Sequence, residues 1–235
     1  MKTLRLKLFQ ETACYKKPLA FKVGETYPLP PYSTVKGWAH ALLDADRFIP
    51  MRVSVQGRYE TKLVDYQTHY LFKKRDVAEF PLVLNGLGIE SYNYQKINKM
   101  PLYTHLLYGV ELLLHIEAEE NILRELQERI ERAEEHFSLG RWEDLARVDE
   151  CRLTEVGELE DEKTLPMNAY VPRRSVMHKR HIPYQLNWKY DIHNGVRRWQ
   201  KISVGYVLAG LSLMPGQGLV DDKGDPVVFH DQLEQ

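Results

Sequence analysis

Residues 27–45 read YPLPPYSTVKGWAHALLDA, the stretch where the chain passes from an extended approach into its first helix. Pro28, Pro30 and Pro31 each fix φ and push the preceding residue toward extended backbone, so the approach is a stiff strap in which no helix can begin. Ser33 or Thr34 is then a natural N-cap. Val35, Trp38, Ala39, Leu42 and Leu43 recur at i, i+3, i+4, i+7 and i+8, one apolar stripe on a helix over about 33–46. Lys36 falls in its first turn. Free backbone N–H groups, a capping hydroxyl and an ammonium make a terminus able to hold a phosphate, although most capped helix starts hold none.

Working outward, Leu4, Leu6 and Leu8 alternate with Arg5 and Lys7, the period of a half-buried strand. After the helix, residues 52–59 and 63–72 alternate again in β-branched and aromatic side chains and read as a hairpin. Residues 73–105 mix basic residues, an apolar run, Gly86, Gly88, Tyr92 and Tyr94, the composition of a protruding hairpin or long loop. A strand follows at 106–118. Glu119 and Glu120 open a second helix with Ile122, Leu126, Ile130, Ala133 and Phe137 on one face, and Gly140 stands where a left-handed cap would end it. With a strand at 145–156 the order is β-α-β-β-α-β, which predicts an α+β, ferredoxin-like core over 1–160, the topology shared with RNA-recognition modules. Residues 161–235 read as a β-rich C-terminal region: an irregular basic segment, strands near 184–190 and 199–211, and a last hairpin turning at Asp221-Asp222-Lys223-Gly224.

The 235 residues, 43% of them hydrophobic, suit a compact protein with a substantial core. Cys14 and Cys151 stand apart with no CxxC pair, which argues against a disulfide framework or a cysteine zinc site and fits a reducing cytoplasm. The first ten residues, MKTLRLKLFQ, interleave charge with leucine and offer no signal-peptide h-region. Residues 202–220 carry no charge, yet their glycines and Pro215 suit a buried strand and turn better than a membrane span. Gly216-Gln217-Gly218 is a lone GxG with no helix pattern behind it, so no cofactor is expected.

A net charge of −1 hides two blocks. Residues 111–162 hold 18 Asp/Glu against 6 Lys/Arg, a balance of −12, whereas residues 164–201 hold 8 Lys/Arg against Asp191 alone, a balance of +7. The densest basic cluster is VPRRSVMHKRHIPY (171–184), with Arg173, Arg174, His178, Lys179, Arg180 and His181 between Tyr170 and Tyr184. Basic residues interleaved with aromatics suit a single-stranded nucleic acid. The HxxH spacing of His178 and His181 is a poor metal site, because the surrounding positive charge opposes a cation.

The run YPLPPYSTVKGW after a first strand, together with HFSLGRWEDL (136–145) after the second helix, closely resembles two signatures of the CRISPR-associated Cas-five family. That family comprises RAMP-superfamily, RNA-binding subunits of type I Cascade complexes; the length is most similar to subtype I-B members. The resemblance implies a non-catalytic subunit that grips the 5′ handle of the CRISPR RNA, docks against the large subunit and a backbone RAMP subunit, and helps place target DNA near the PAM. It also implies a thumb hairpin that kinks the RNA, here about 73–103.

On this reading the RNA-contacting candidates are Lys16, Lys17, Ser33, Thr34 and Lys36 around the strap, Lys73, Lys74 and Arg75 at the root of the thumb, Arg141 in the glycine-containing loop, and Arg173, Arg174, His178, Lys179 and Arg180. Trp142, beside a helix end, is expected to be packed. Two rival readings use the same residues. Some relatives are metal-independent endoribonucleases that process repeat RNA, and His178, Lys179 and His181 supply suitable residue types for a base, a cation and an acid. A protein-only adaptor would keep the acidic surface for a basic partner but has no need of the +7 segment.

Overall fold

The computed structural model of the chain describes residues 1–18, 20, 23–72 and 97–230. Its first part comprises β1 (Lys2–Ala13), β2 (Val23–Gly24), α1 (Tyr32–Leu42), β3 (Arg52–Arg58), β4 (Thr61–Phe72), β5 (Ile97–Glu117), α2 (Glu120–Glu131), β6 (Phe137–Ser138) and β7 (Leu145–Glu158). The remainder comprises β8 (Lys163–Thr164), β9 (Asn168–Pro172), β10 (Ile182–His193), β11 (Val196–Val207), β12 (Ser212–Leu213), β13 (Leu219–Asp221) and β14 (Pro226–Val227). One open sheet runs β10-β11-β9-β3-β5-β1-β7-β13-β14, antiparallel at every step, and β8 pairs with β12 apart from it. The last third therefore extends both edges of the sheet, β9 to β11 beside β3 and β13 to β14 beside β7.

Both helices lie on one face. Val35, Trp38 and Ala39 of α1 and Leu123, Leu126 and Ile130 of α2 join a single core with Leu4, Leu6, Leu8, Val53, Val55, Leu112, Leu114 and Ile116. Each fully buried aliphatic side chain there contributes about 1.5–3 kcal/mol. Arg129 ties the helices together, donating to Leu42 O at 2.9 Å and to Asp44 Oδ2 at 2.6 Å.

The opposite face holds a second layer that alternation alone does not suggest. Arg5, Ser54, Gln56 and His115 point there, fully buried beneath the β13–β14 hairpin. Arg5 donates to Asp221, and to Asp225 at 2.6 Å, while His115 Nε2 lies 3.0 Å from Asp221 Oδ2. Gln56 donates to Pro226 O, and the Val228 N–H donates to Ser54 Oγ at 3.1 Å. A polar clamp thus holds the C-terminal hairpin on the sheet, as buried polar groups require partners.

Several expected boundaries move. Helix α1 begins at Tyr32 with Pro31 as its N-cap and no side-chain cap bond, so neither Ser33 nor Thr34 caps it; the Thr34 and Val35 N–H groups both reach Pro31 O. Helix α2 stops at Glu131. Phe137, expected on its face, lies in β6 with its ring 5.8 Å from that of Trp38. Gly140 is not its cap but belongs to the loop between β6 and β7. Strands β10 and β11 run longer than expected and meet at an Asn194-Gly195 turn, both residues at positive φ. Residues 73–96 lie outside the described residues. They include Lys73, Lys74, Arg75 and most of the expected thumb; residues 97–103 open β5, paired with β4 from Phe72↔Ile97 to Thr61↔Tyr108. Among the described residues no helix is long and apolar enough to cross a membrane, and residues 202–220 contain the end of β11 and the turns after it.

Candidate nucleic-acid interface

Lys36 occupies the second turn of α1 and is 3% exposed. Its ammonium, expected at the helix start, lies 3.6 Å from the centroid of the Trp188 ring and 5.3 Å from that of Phe48, and Nζ has no hydrogen-bond partner among the described residues. Trp188 reaches this position through a β-bulge: Asn187 pairs with Lys201 and Lys189 with Gln200, leaving Trp188 unpaired and turned in against α1. Burial, and secondarily the charge of Lys189, lowers the Lys36 pKa to about 8.

Around Lys36 opens a cleft of about 560 Å³ between α1, the 45–48 loop and the β10–β11 hairpin. His40 fixes the loop. Its Nε2 accepts the Ile49 N–H at 2.9 Å, so Nδ1 carries the proton donated to Lys36 O at 2.7 Å, and the ring stacks on Phe48 at 5.8 Å. Across the cleft Tyr190 and Trp199 face each other in cross-strand register with rings 5.0 Å apart. The Arg197 guanidinium lies 4.6 Å over Tyr190 and the Lys189 ammonium 5.0 Å over Phe48. Arg47, Asp46, Asp191 and Ser33 complete the charged and polar lining, while Thr34 lies off it.

The basic cluster is elsewhere. Arg173–Val176 form a 3-10 turn whose Val176 packs with Ala169, Val171 and Val207 on the sheet face opposite the helices. Arg173, Arg174, His178 and Arg180 are exposed there. The acidic α2 is on the other face, with α1. Lys179 differs from its neighbours. Its ammonium donates to Ser212 O at 2.6 Å and Gln217 Oε1 at 3.3 Å, and His181 Nδ1 meets Lys179 O at 2.9 Å, so both serve as local staples. Of the flanking tyrosines Tyr184 is half-buried and Tyr170 is closed off from any base. Tyr170 is fully buried and donates to Leu29 O at 2.9 Å, within a ring cluster that includes Tyr32, Tyr184 and Tyr206.

Lys17 pairs with Glu25 at 3.0 Å and lies 6.0 Å from the Tyr184 ring, whereas Lys16 is exposed; Phe21 lies outside the described residues. In the 138–145 loop the expected roles reverse. Asp144, fully buried, accepts from the Cys14 N–H at 2.9 Å, the Arg141 N–H at 2.7 Å and Arg141 Nη2 at 2.7 Å, and Glu143 takes Arg141 Nη1 at 3.0 Å. Arg141 is therefore consumed by the loop. Gly140, at φ +121°, packs so closely that a Cβ would stand 2.7 Å from Asp144 Oδ2. Trp142 is the group left in solvent, 90% exposed.

A family model described as CRISPR-associated protein (Cas_Cas5) matches residues 3–200. The chain belongs to this Cas-five family. No curated protein matches it. Among solved structures it is similar to one described as "CRISPR RNA-guided surveillance complex", at 15% identity over 91% of each chain with a TM-score of 0.54. It is also similar to a CRISPR protein from Archaeoglobus fulgidus, at 12% identity over 98% of this chain and 100% of that one with a TM-score of 0.50. At these identities the likeness is one of fold. In this Cas-five chain the whole cleft lining, Ser33 through Trp199, falls inside the matched span, as does the basic turn. Strands β13 and β14, which close over Arg5, lie beyond it.

Proposed function

We propose that this Cas-five protein is a non-catalytic RNA-binding subunit of a type I Cascade complex of the subtype I-B kind, acting in the cytoplasm and gripping the 5′ handle of the CRISPR RNA. On this reading β1-α1-β3-β5-α2-β7, with sheet order β3-β5-β1-β7, is a ferredoxin-like core over residues 1–160. The β4–β5 arm is the root of its thumb, and the C-terminal region extends the sheet where partners dock. The observation that carries the proposal is the family match over residues 3–200. Two features support it: the exposed Arg173, Arg174, His178 and Arg180, and the cationic, aromatic cleft at α1. The large subunit, a backbone subunit and the PAM-proximal end of target DNA are the remaining partners this role requires.

The ribonuclease reading is disfavoured by the engagement of Lys179 with Ser212 and Gln217, which occupies the cation that chemistry would draw on. The deciding experiment incubates the full chain with end-labelled CRISPR repeat RNA in chelator and runs native and denaturing gels in parallel. Intact RNA with a retarded native band is expected. A discrete cut would replace this proposal with a processing ribonuclease, and intact, unshifted RNA would refute handle binding by the subunit alone.

A further inference from the structure

The cleft at α1 carries more than a general affinity for RNA. A buried ammonium is costly unless paired, and among the described residues Lys36 Nζ finds no hydrogen-bond partner and lies against the Trp188 and Phe48 rings. The bulge at Trp188 and the His40 clasp on the 45–48 loop both maintain that arrangement. The lining is mixed in a specific way. Lys36, Lys189, Arg197 and Arg47 supply positive charge, Phe48, Trp188, Tyr190 and Trp199 supply flat apolar surface, and Asp46 and Asp191 supply acceptors. A bare polyanion would meet the two carboxylates unfavourably. A ligand with an anionic end, a planar ring and hydroxyl or amine donors would use all three kinds of group, and about 560 Å³ is in the range of small-molecule sites.

We infer that this cleft is a nucleotide pocket, taking one nucleoside monophosphate unit with its phosphate toward Lys36 and Lys189 and its base against the Phe48, Tyr190 and Trp199 rings. Asp46 and Asp191 accept from ribose hydroxyls or an exocyclic amine. The site deepens the proposed function, on which it rests only for the source of the nucleotide: the same chemistry is offered by a free nucleotide and by one unstacked residue of an RNA strand. The phosphate supplies the partner that the Lys36 ammonium lacks among the described residues.

The test titrates the full chain with the four nucleoside 5′-monophosphates, with inorganic phosphate and uncharged nucleosides as controls, and with a short single-stranded RNA, following tryptophan fluorescence from Trp188 and Trp199 and heats of binding. The variants are Lys36→Met and, because Lys36 is buried, the more exposed Lys189→Ala and Arg197→Ala as well. A free-nucleotide site predicts monophosphate binding at least about tenfold tighter than either control, weakened about tenfold by Lys36→Met or Lys189→Ala, since a charge-assisted contact is lost. A strand-borne site predicts weak monophosphate binding but a similar loss of RNA affinity in the same variants. The pocket is overturned if no monophosphate binds and all three variants hold RNA as the parent does. In that outcome the RNA-binding proposal survives, whereas monophosphate binding without RNA binding would do the reverse.

Discussion

The ammonium of Lys36 rests on the face of Trp188, 3.6 Å from the ring centroid, with no hydrogen-bond acceptor among the described residues. Burial and the charge of Lys189 move its pKa from 10.5 to about 8. The groups around it are His40 on its own helix, Asp46 and Arg47 on the following loop, and Lys189, Asp191 and Arg197 on the hairpin. A base whose folded pKa is depressed lowers stability fully below that value. As pH rises from about 8 toward 10.5 the unfolded chain still holds the proton that the folded chain has released, and stability recovers. The displacement corresponds to ~3 kcal/mol, offset by the ~0.5–2 kcal/mol that an indole face returns to a cation. Lys36→Met should therefore stabilise the protein by ~1–2 kcal/mol at pH 7, with the gap closing toward pH 10. Denaturant titrations of both proteins across this range measure it, and a gap that does not change with pH would refute the buried charge.

The loop after β6 gives a sharp contrast between neighbours. Replacing Asp144 by alanine strands the Arg141 guanidinium and two backbone N–H groups, a cost of ~3–5 kcal/mol by analogy with broken buried pairs. Trp142→Ala, at a side chain almost wholly in solvent, should stay within ~0.5 kcal/mol of the parent. Urea midpoints of the two variants settle the comparison, and a Trp142 variant as unstable as the Asp144 variant would contradict the geometry.

Much of the architecture was legible in local pattern. Leu4, Leu6 and Leu8, the stripe of α1, Leu126 and Ile130 of α2, and the turn at Asp221–Gly224 each report a single face or a single bend, and each lies where its period places it, whereas Ala133 and Phe137 fall beyond the end of α2. Arg5 and His115 were not legible, because a buried ion cluster on the second sheet face shows the same alternation as a solvated one until the β13–β14 hairpin covers it. Asn194-Gly195 is a strong local hairpin signal that would have joined β10 to β11. With it, the Tyr190↔Trp199 pairing would have followed, and with that most of one wall of the cleft. Lys36 itself was singled out, but for the helix start; that it lies under a bulged tryptophan 152 positions later is a tertiary fact with no local signature.

On the basic turn the exposed residues and the tethered one should separate. Converting Arg173 and Arg180 together to alanine should leave the melting temperature nearly unchanged. It should also flatten the salt dependence of RNA binding by about 0.7 in log–log slope for each phosphate contact removed. Lys179→Ala should instead lower the melting temperature, since it removes the donor to Ser212 O and Gln217. Filter binding between low and moderate salt, beside thermal melts, reads both effects. An unchanged slope in the double variant would exclude this turn from the RNA path.

The clamp under the C-terminal hairpin should be sensitive to acid. Burial would raise the pKa of Asp221, but the hydrogen bonds from His115 and the Asp225 N–H and the charge of Arg5 outweigh it and hold the carboxyl at about 2, below its ordinary 3.8. Glu150 behaves alike: burial opposes ionisation, yet Lys223, Arg152 and Arg5 bring it from 4.5 to about 2. A carboxyl with a depressed folded pKa contributes stability that is complete above its unfolded value and is lost as pH falls toward the folded one. The window is therefore pH 4.5 down to about 2, with ~2 kcal/mol attached to Asp221. Asp221→Asn should cost ~3–5 kcal/mol at pH 7 by leaving Arg5 short of its innermost partner, and the gap between variant and parent should narrow by ~2 kcal/mol as pH falls toward 2. Because the same carboxylate holds β13 and β14 down, amide exchange at Val228, whose N–H donates to Ser54, should accelerate in the variant before the rest of the sheet opens. Exchange at Val228 no faster than at Val55 would show that the hairpin stays seated without Asp221, and that its apolar contacts through Val227 and Phe229 suffice.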